Sequence, residues 1–277
     1  MSQEVEKPLI FLPADFKGGP GDEPFVVIVR SREELNRWQH DRSPGLQWIQ
    51  VEGLSGDPDT WAFAAQGTGD IPLDVVLSAP GSEFSDLYRL VDVLAVRDVR
   101  VSVPATPGFL KAVRLAASLG LPVRVLPGQP SAEAIAELAE VLACYLHDPM
   151  VEAPIEFFHS ALAWMRGSQT GSLWIICEED PAVFRHYDSK GGMELPRTAR
   201  RLTEETSLRD FVKSHLARLI GEGAECATCP WQLLCQGYFK WPNPEYPCRE
   251  VKQLFATLRA AADEIERDLA GCEAQPA

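Results

Sequence analysis

DVRVSVPATPGFLKAVRLAASLGLPVRVLPGQPSAEAIAELAEVLACYL, residues 98–146, decides the fold. DVRVSVPATPG (98–108) is a β-branched run that stops in turn residues, the signature of a short buried strand. FLKAVRLAASLG (109–120) carries apolar residues at helical spacing and closes on Gly120. PVRVLPGQP (122–130) repeats the strand pattern. SAEAIAELAEVLACYL (131–146) repeats the helix, with Ser131 as N-cap and a Glu at the capping-box position. The unit is strand, helix, strand, helix.

The rhythm extends upstream. LDVVLSAPG (73–81) and FSDLYRLVDVLAV (84–96) read as one more strand and helix. FVVIV (25–29), SREELNRWQ (31–39, with Ser31 as N-cap) and LQWIQVEG (46–53) read as strand, helix and strand. Strands alternating with helices of this length build parallel βαβ units. Strands made of Val, Ile and Leu suit a sheet covered on both faces. The expected class is α/β, a partial (β/α) barrel or an open parallel sheet over residues 24–150. Strand signals are too few for eight full units. Residues 1–23, with PADFKGGPGDEP, read as a loose lead-in.

Past residue 150 the pattern changes. In the expected bridging region, 151–221, APIEFFHSALAWMRG (153–167) reads as a helix and SLWIICEED (172–180) as a strand. AVFRHYDSKGGMEL (182–195) reads as a further strand with DSKGG as turn chemistry, and ETSLRDFVKSHLARLIG (205–221) as a helix. Residues 222–277 hold a cysteine-rich segment and then a long helix, REVKQLFATLRAAADEIERDL (249–269).

The 277 residues are 45% hydrophobic and 24% charged, ordinary for a globular chain, and the formal net charge is −14. Such acidity repels phosphate backbones and argues against a nucleic-acid surface. It suits either a well-solvated surface or a basic partner. The N-terminal apolar run is too short for a signal peptide, and no stretch approaches a membrane span, so a cytoplasmic chain without membrane contact is expected. In a reducing compartment, clustered cysteines bind metal or do chemistry more often than they form disulfides.

Cys226, Cys229, Cys235 and Cys248 follow the spacing C-x2-C-x5-C-x12-C. Four thiolates suit an iron–sulfur cluster and a structural zinc alike. Only one tight pair is present, whereas zinc sites usually show two. An apolar and aromatic neighbourhood (Trp231, Leu233, Leu234, Tyr238, Phe239, Trp241, Tyr246) would keep water from a cluster.

CATCPWQLLCQG (226–237), with C-x2-C-x5-C-x-G, and YPCREVKQLF (246–255) resemble the SPASM domain, the auxiliary-cluster extension of peptide-modifying radical SAM enzymes. The resemblance implies that Cys226, Cys229, Cys235 and Cys248 bind an outer [4Fe–4S] cluster. It also implies that residues 73–146 belong to a radical SAM-like partial barrel. Two family features are missing. No cysteine precedes Cys144, so there is no C-x3-C-x2-C loop for a SAM-cleaving cluster. Phe239 stands where a cysteine of the inner auxiliary cluster is required.

The remaining candidates carry less. Cys177 in WIICEED reads as a buried structural cysteine, with a leftover ligand or a reactive thiol as the other readings. Cys144 reads as core and Cys272 as an exposed tail residue. His40, His147, His159, His186 and His215 are scattered without metal spacing. RTARR (197–201) is a small basic patch, either solvated or a receiver of an acidic peptide or phosphate. Glu52, Ser78 and Ser102 fall near strand ends, where α/β folds place ligands. The function expected is an accessory [4Fe–4S] protein without radical SAM activity of its own. It would partner a peptide or a peptide-modifying enzyme subunit for binding or electron relay. The alternatives are an enzyme with repurposed barrel-mouth chemistry in peptide maturation, and a zinc-stabilised protein-binding module.

Overall fold

The computed structural model describes residues 7–18, 21–66, 71–198 and 208–273. Among these residues nine strands form one sheet: β1 (Leu9–Pro13), β2 (Phe25–Val29), β3 (Leu46–Glu52), β4 (Leu73–Val76), β5 (Val99–Pro104), β6 (Val123–Leu126), β7 (Ile155–Glu156), β8 (Phe184–Tyr187) and β9 (Met193–Glu194). Their order is β7-β6-β5-β4-β3-β2-β1-β8-β9. Every neighbouring pair is parallel except β8 and β9, which form an antiparallel hairpin. The chain is therefore α/β with a mostly parallel sheet.

Sequential strands lie side by side from β1 to β7. Right-handed crossovers then put every connecting helix on the same face of the sheet. That face is aliphatic: Val27, Val29, Ile49, Val51, Val75, Val101, Val103 and Val125 are all buried in one continuous core. The helices Phe109–Ser118 and Ala132–His147 cover it, and Ser131 caps the second by accepting the Ala134 N–H. Glu133 stands one place before the capping-box position, so the reciprocal bond is not made. Ser31 caps Arg32–Trp38 in the same way, accepting the Glu34 N–H.

The opposite face is different because strand side chains alternate. Phe11, Val26 and Ile28 form a second apolar cluster there, against Trp48 and Phe184. Asp74, Arg100, Ser102 and Arg124 occupy the same face further along, set opposite one another by the registers Asp74↔Arg100 and Ser102↔Arg124. This face is concave. β6 and β8 are six strand spacings apart in the sheet order, about 29 Å if the sheet were flat. Yet Arg124 on β6 and His186 on β8 line one cavity.

Two expectations need correction. Residues 9–13 of the supposed lead-in form β1, an inner strand paired on both sides, by β2 and β8. SLWIICEED is not a strand: Leu173–Ile176 is a single helical turn, and Glu178 turns the chain out with φ 59°. Eight strands run parallel, but they do not make eight full βα units: no helix is described between β1 and β2, and β8 turns back into β9. The DSKGG turn does join two strands, with Asp188 Oδ1 accepting from the N–H groups of Lys190 and Gly192. The 84–96 segment begins as a 3-10 helix, Phe84–Leu90, before one α-turn at Val91–Leu94. Helix 205–221 is described from Phe211 to Gly221; residues 205–207 lie outside the described residues. Among the described residues no helix is long and apolar enough to cross a membrane.

Candidate metal centre and sheet cavity

The four cysteines come from three local structures. Cys226 lies in the 3-10 turn Glu225–Thr228 and Cys229 directly follows it. Cys235 ends the short helix Gln232–Cys235. Cys248 immediately precedes the closing helix Arg249–Glu273, whose Lys252 N–H donates to the Cys248 carbonyl at 2.9 Å. All four line a single small pocket, together with Trp231, Phe239, Val251 and Phe255. As the side chains stand, no group of three or more His, Cys, Asp or Glu among the described residues is placed to hold one metal ion. A single zinc draws all its sulfurs to one point, whereas a cubane bonds each cysteine to a different corner iron and needs them spread apart.

The turn after Cys235 explains the C-x-G pattern. Gln236 and Gly237 both adopt left-handed backbone, with φ 48° and 77°. This folds the chain back so that the Phe239 and Tyr238 N–H groups face the Cys235 sulfur and favour its ionised form. A Cβ on Gly237 would lie 2.8 Å from Leu219 Cδ1 and 3.2 Å from His215 Cδ2. Backbone donors to sulfur and a closely packed glycine suit a thiolate rather than a thiol.

Burial works against ionisation. It pushes the Cys235 thiol up to about 11, and burial with the neighbouring Cys235 pushes Cys248 up to about 12. Burial also raises Cys226, while Lys240 and Lys252 pull it down. Lys240 is nearly buried and bonds Glu225 at 3.2 Å, and Lys252 bonds the same carboxylate. Thiolates at Cys235 and Cys248 would need a bound cation to offset this burial, and two ammonium groups stand at hand for the remaining negative charge.

The cysteine segment docks on the loops at the C-terminal ends of the strands. Gln129, after β6, donates to the Phe239 and Asn243 carbonyls, each at 2.8 Å. Tyr246 Oη donates to Pro130 O, Trp174 Nε1 to Gln236 O and Trp241 Nε1 to Pro196 O. Beneath it opens a cavity of about 450 Å³. Its walls include Phe11, Gln50, Glu52, Arg124, His186 and Arg197. Strand C-terminal ends are where parallel α/β folds place their ligands.

Arg124 and Glu178 in the cavity wall belong to a closed ionic set that extends beneath it. Asp74 bonds Arg100 at 2.7 Å and Arg124 at 2.9 Å, and Ser102 Oγ donates to its other oxygen. Glu178 joins from above, bonded to Arg100 at 2.9 Å and to Arg124. Burial tends to raise Asp74, but Arg124 and Arg100 outweigh it and hold the carboxyl below its usual value. Glu178 reaches this position from left-handed backbone, a conformation a non-glycine residue keeps only where its surroundings hold it.

Tyr238 links the two sites. Its backbone N–H faces the Cys235 sulfur, and its hydroxyl donates to Glu179 at 3.0 Å. Glu179 pairs with Arg197 at 2.7 Å, and Arg197 stacks over the Tyr238 ring. Cys177 lies in the cavity wall, not in the cysteine pocket, and burial followed by the Glu179 charge pushes its thiol far up. It is a protonated, enclosed thiol. Cys177→Ser is therefore expected to leave metal content unchanged, and iodoacetamide at pH 8 is expected to spare Cys177 in the folded chain, as peptide mapping would read.

Other sequence candidates divide. Glu52 lines the cavity and pairs with Arg30 at 2.8 Å; Ser102 belongs to the ionic set; Ser78 is exposed and outside the cavity. Arg197 is not part of a solvated basic patch but an internal cation, and residues 199–201 lie outside the described residues. Cys144 is only partly buried, in a surface groove with Asp148, rather than in the core. The Cys272 side chain lies outside the described residues. His159 bonds Tyr145 Oη at 2.9 Å, and His215 Nε2 bonds Gly237 O at 3.1 Å. His186 stacks on Phe11 at 4.2 Å. Burial, reinforced by the Arg124 charge, brings its imidazole down to about 4.

That shift sets a pH dependence. The unfolded chain binds a proton at His186 near pH 6.5, while the folded chain resists it until about 4. Stability is thus expected to fall as pH drops from 6.5 to 4, by up to about 1.4 kcal/mol per pH unit from this group. Denaturant melts of His186→Phe against the parent chain would show that loss absent in the variant.

No family model, curated protein or solved structure matches the chain.

Proposed function

We propose that the chain is an iron–sulfur protein in which Cys226, Cys229, Cys235 and Cys248 hold one [4Fe–4S] cluster on a partial-barrel body resembling radical SAM/SPASM proteins. The observation that carries this reading is the gathering of four cysteines, spread over positions 226 to 248, around one apolar pocket. The N–H donors to Cys235 and the ammonium groups of Lys240 and Lys252 support it, because they favour thiolates. When bound, the cluster would supply one-electron exchange or rigid cross-linking of the segment. With four cysteines it leaves no open position for a substrate.

No second cysteine set exists in the sequence for SAM cleavage, so the role is accessory. The chain would bind a peptide, or the enzyme that modifies one, in the cytoplasm. Anaerobic co-purification tests the accessory role: retention of a peptide-modifying enzyme or its peptide supports it, and a chain that elutes alone under cluster-preserving conditions counts against it. A second reading, catalysis at the barrel mouth, is favoured by the cavity and its His186. Turnover of a candidate peptide by the isolated chain, abolished by His186→Phe, would establish it. A zinc-stabilised binding module is the third reading, decided by the metal and sulfide content.

A further inference from the structure

The sheet cavity has a polarity of its own, separate from the cysteine pocket. Its lining holds four carboxylates, Glu52, Glu178, Glu179 and Glu194, against two guanidinium groups, Arg124 and Arg197. Both cations are already spent. Arg124 donates through Nε to Ser102 and through its two terminal nitrogens to Glu178 and Asp74. Arg197 is taken by Glu179 and the Tyr238 carbonyl, and its remaining nitrogen is shut off from the cavity surface. The Gln50 amide nitrogen is given to Glu52 at 2.8 Å. An anionic ligand would find no unspent side-chain cation among these groups.

The unspent capacity is of the opposite kind. The Glu194 carboxylate stands exposed at the rim, with no hydrogen-bond or ion-pair partner among the described residues. The Glu52 carboxylate opens on the same space, shared with the exposed Arg30 guanidinium at 2.8 Å. The His186 ring is stacked face to face on Phe11 and makes no hydrogen bond among the described residues; the surface it retains is on the cavity. A neutral ring in that position is a polar group held open for a partner. Val76, Leu126, Leu195 and Pro196 complete an apolar wall. The volume, about 450 Å³, is within the range that holds a small organic molecule.

We infer that this cavity binds an organic cation, an alkyl-guanidinium or alkyl-ammonium group, with its charged end between Glu52 and Glu194, its alkyl body on the apolar wall and a hydrogen bond at His186. Such a ligand brings the donors that the cavity lacks, and its charge meets Glu194, which has no counter-ion among the described residues, and Glu52, whose counter-ion Arg30 is exposed and lies outside the cavity lining. The cation has two possible sources, a free small molecule or a basic side chain of a bound peptide. The inference stands independently of the cluster.

Titration calorimetry on the purified chain, with cluster absorbance followed in parallel, tests it. The probes are 1-propylguanidinium, its neutral isostere propylurea, and butyrate. Propylguanidinium is expected to bind at least about tenfold more tightly than propylurea, and butyrate not at all. Glu194→Gln and Glu52→Gln are each expected to weaken the cation severalfold without changing propylurea or the cluster absorbance. His186→Phe is expected to weaken both probes. N-acetyl-arginine methylamide separates the sources: binding at least as tight as propylguanidinium marks a peptide side chain, and its exclusion marks a free cation. Equal binding of propylguanidinium and propylurea, a preference for butyrate, or no saturable cation binding by the folded parent chain overturns the inference. None of these results depends on a variant that folds poorly, because the parent chain alone decides between the probes.

Discussion

Arg124→Met is expected to lower folding stability by about 3–5 kcal/mol, the cost of breaking a buried ionic set on one side. Arg124 is the member that holds it together. It bonds Asp74 at 2.9 Å, Glu178 and Ser102, and its side chain is only 8% exposed. Removing it leaves Asp74, 1% exposed, with Arg100 alone, and frees Glu178 from one of its two cations. Chemical denaturation would read the loss as a lower midpoint at unchanged slope. The Arg124→Met, Asp74→Leu double variant is expected to recover part of it, because an apolar pair leaves fewer unpaired charges. The same set gives an acid limit. Asp74 titrates lower in the folded chain than in the unfolded one. Its contribution is therefore present above the unfolded value near 3.9 and lost as pH falls through the folded value. Asp74→Asn would flatten that acid limb.

Gly237→Ala is expected to act on both stability and metal content. Left-handed backbone costs an L-residue about 1–2 kcal/mol, and overpacking typically adds about 1–3 kcal/mol. Both conditions hold at Gly237, with φ 77° and Leu219 Cδ1 2.8 Å from any added Cβ. The strain falls on the turn that aims two N–H groups at Cys235. The account expects a clear drop in melting temperature together with reduced iron per chain. Leu219→Ala in the same chain removes the close contact but not the backbone strain, so it is expected to restore only part of the loss. A Gly237→Ala chain that melts like the parent and binds the same metal would mean that the turn does not shape the site.

Much of the fold was legible because buried β-branched strands and capped helices follow local rules. FVVIV, LDVV and VRVSVP declare themselves through residue type, and Ser31 and Ser131 mark real helix starts. Strand β1 was hidden by its surroundings, since LIFLP is five residues beside a run of Gly and Pro. The helical turn at Leu173–Ile176 was misread because its Trp and Ile residues favour strands, and tertiary packing overrode that preference. The ionic set was visible as a pattern but not as a site. Asp74, Arg100, Ser102 and Arg124 are the polar members of alternating strands, yet only the register shows that they face one another. The cysteines were legible from spacing. The part of Tyr238 was not, because a tyrosine whose backbone serves one site and whose hydroxyl serves another leaves no mark in sequence.

The most direct measurement is iron, acid-labile sulfide and zinc content of the chain purified without oxygen, beside Cys235→Ser and Cys177→Ser. The account predicts about four iron and four sulfide per chain, lost in Cys235→Ser and kept in Cys177→Ser. One zinc per chain with no sulfide, or iron that persists in Cys235→Ser, would contradict it.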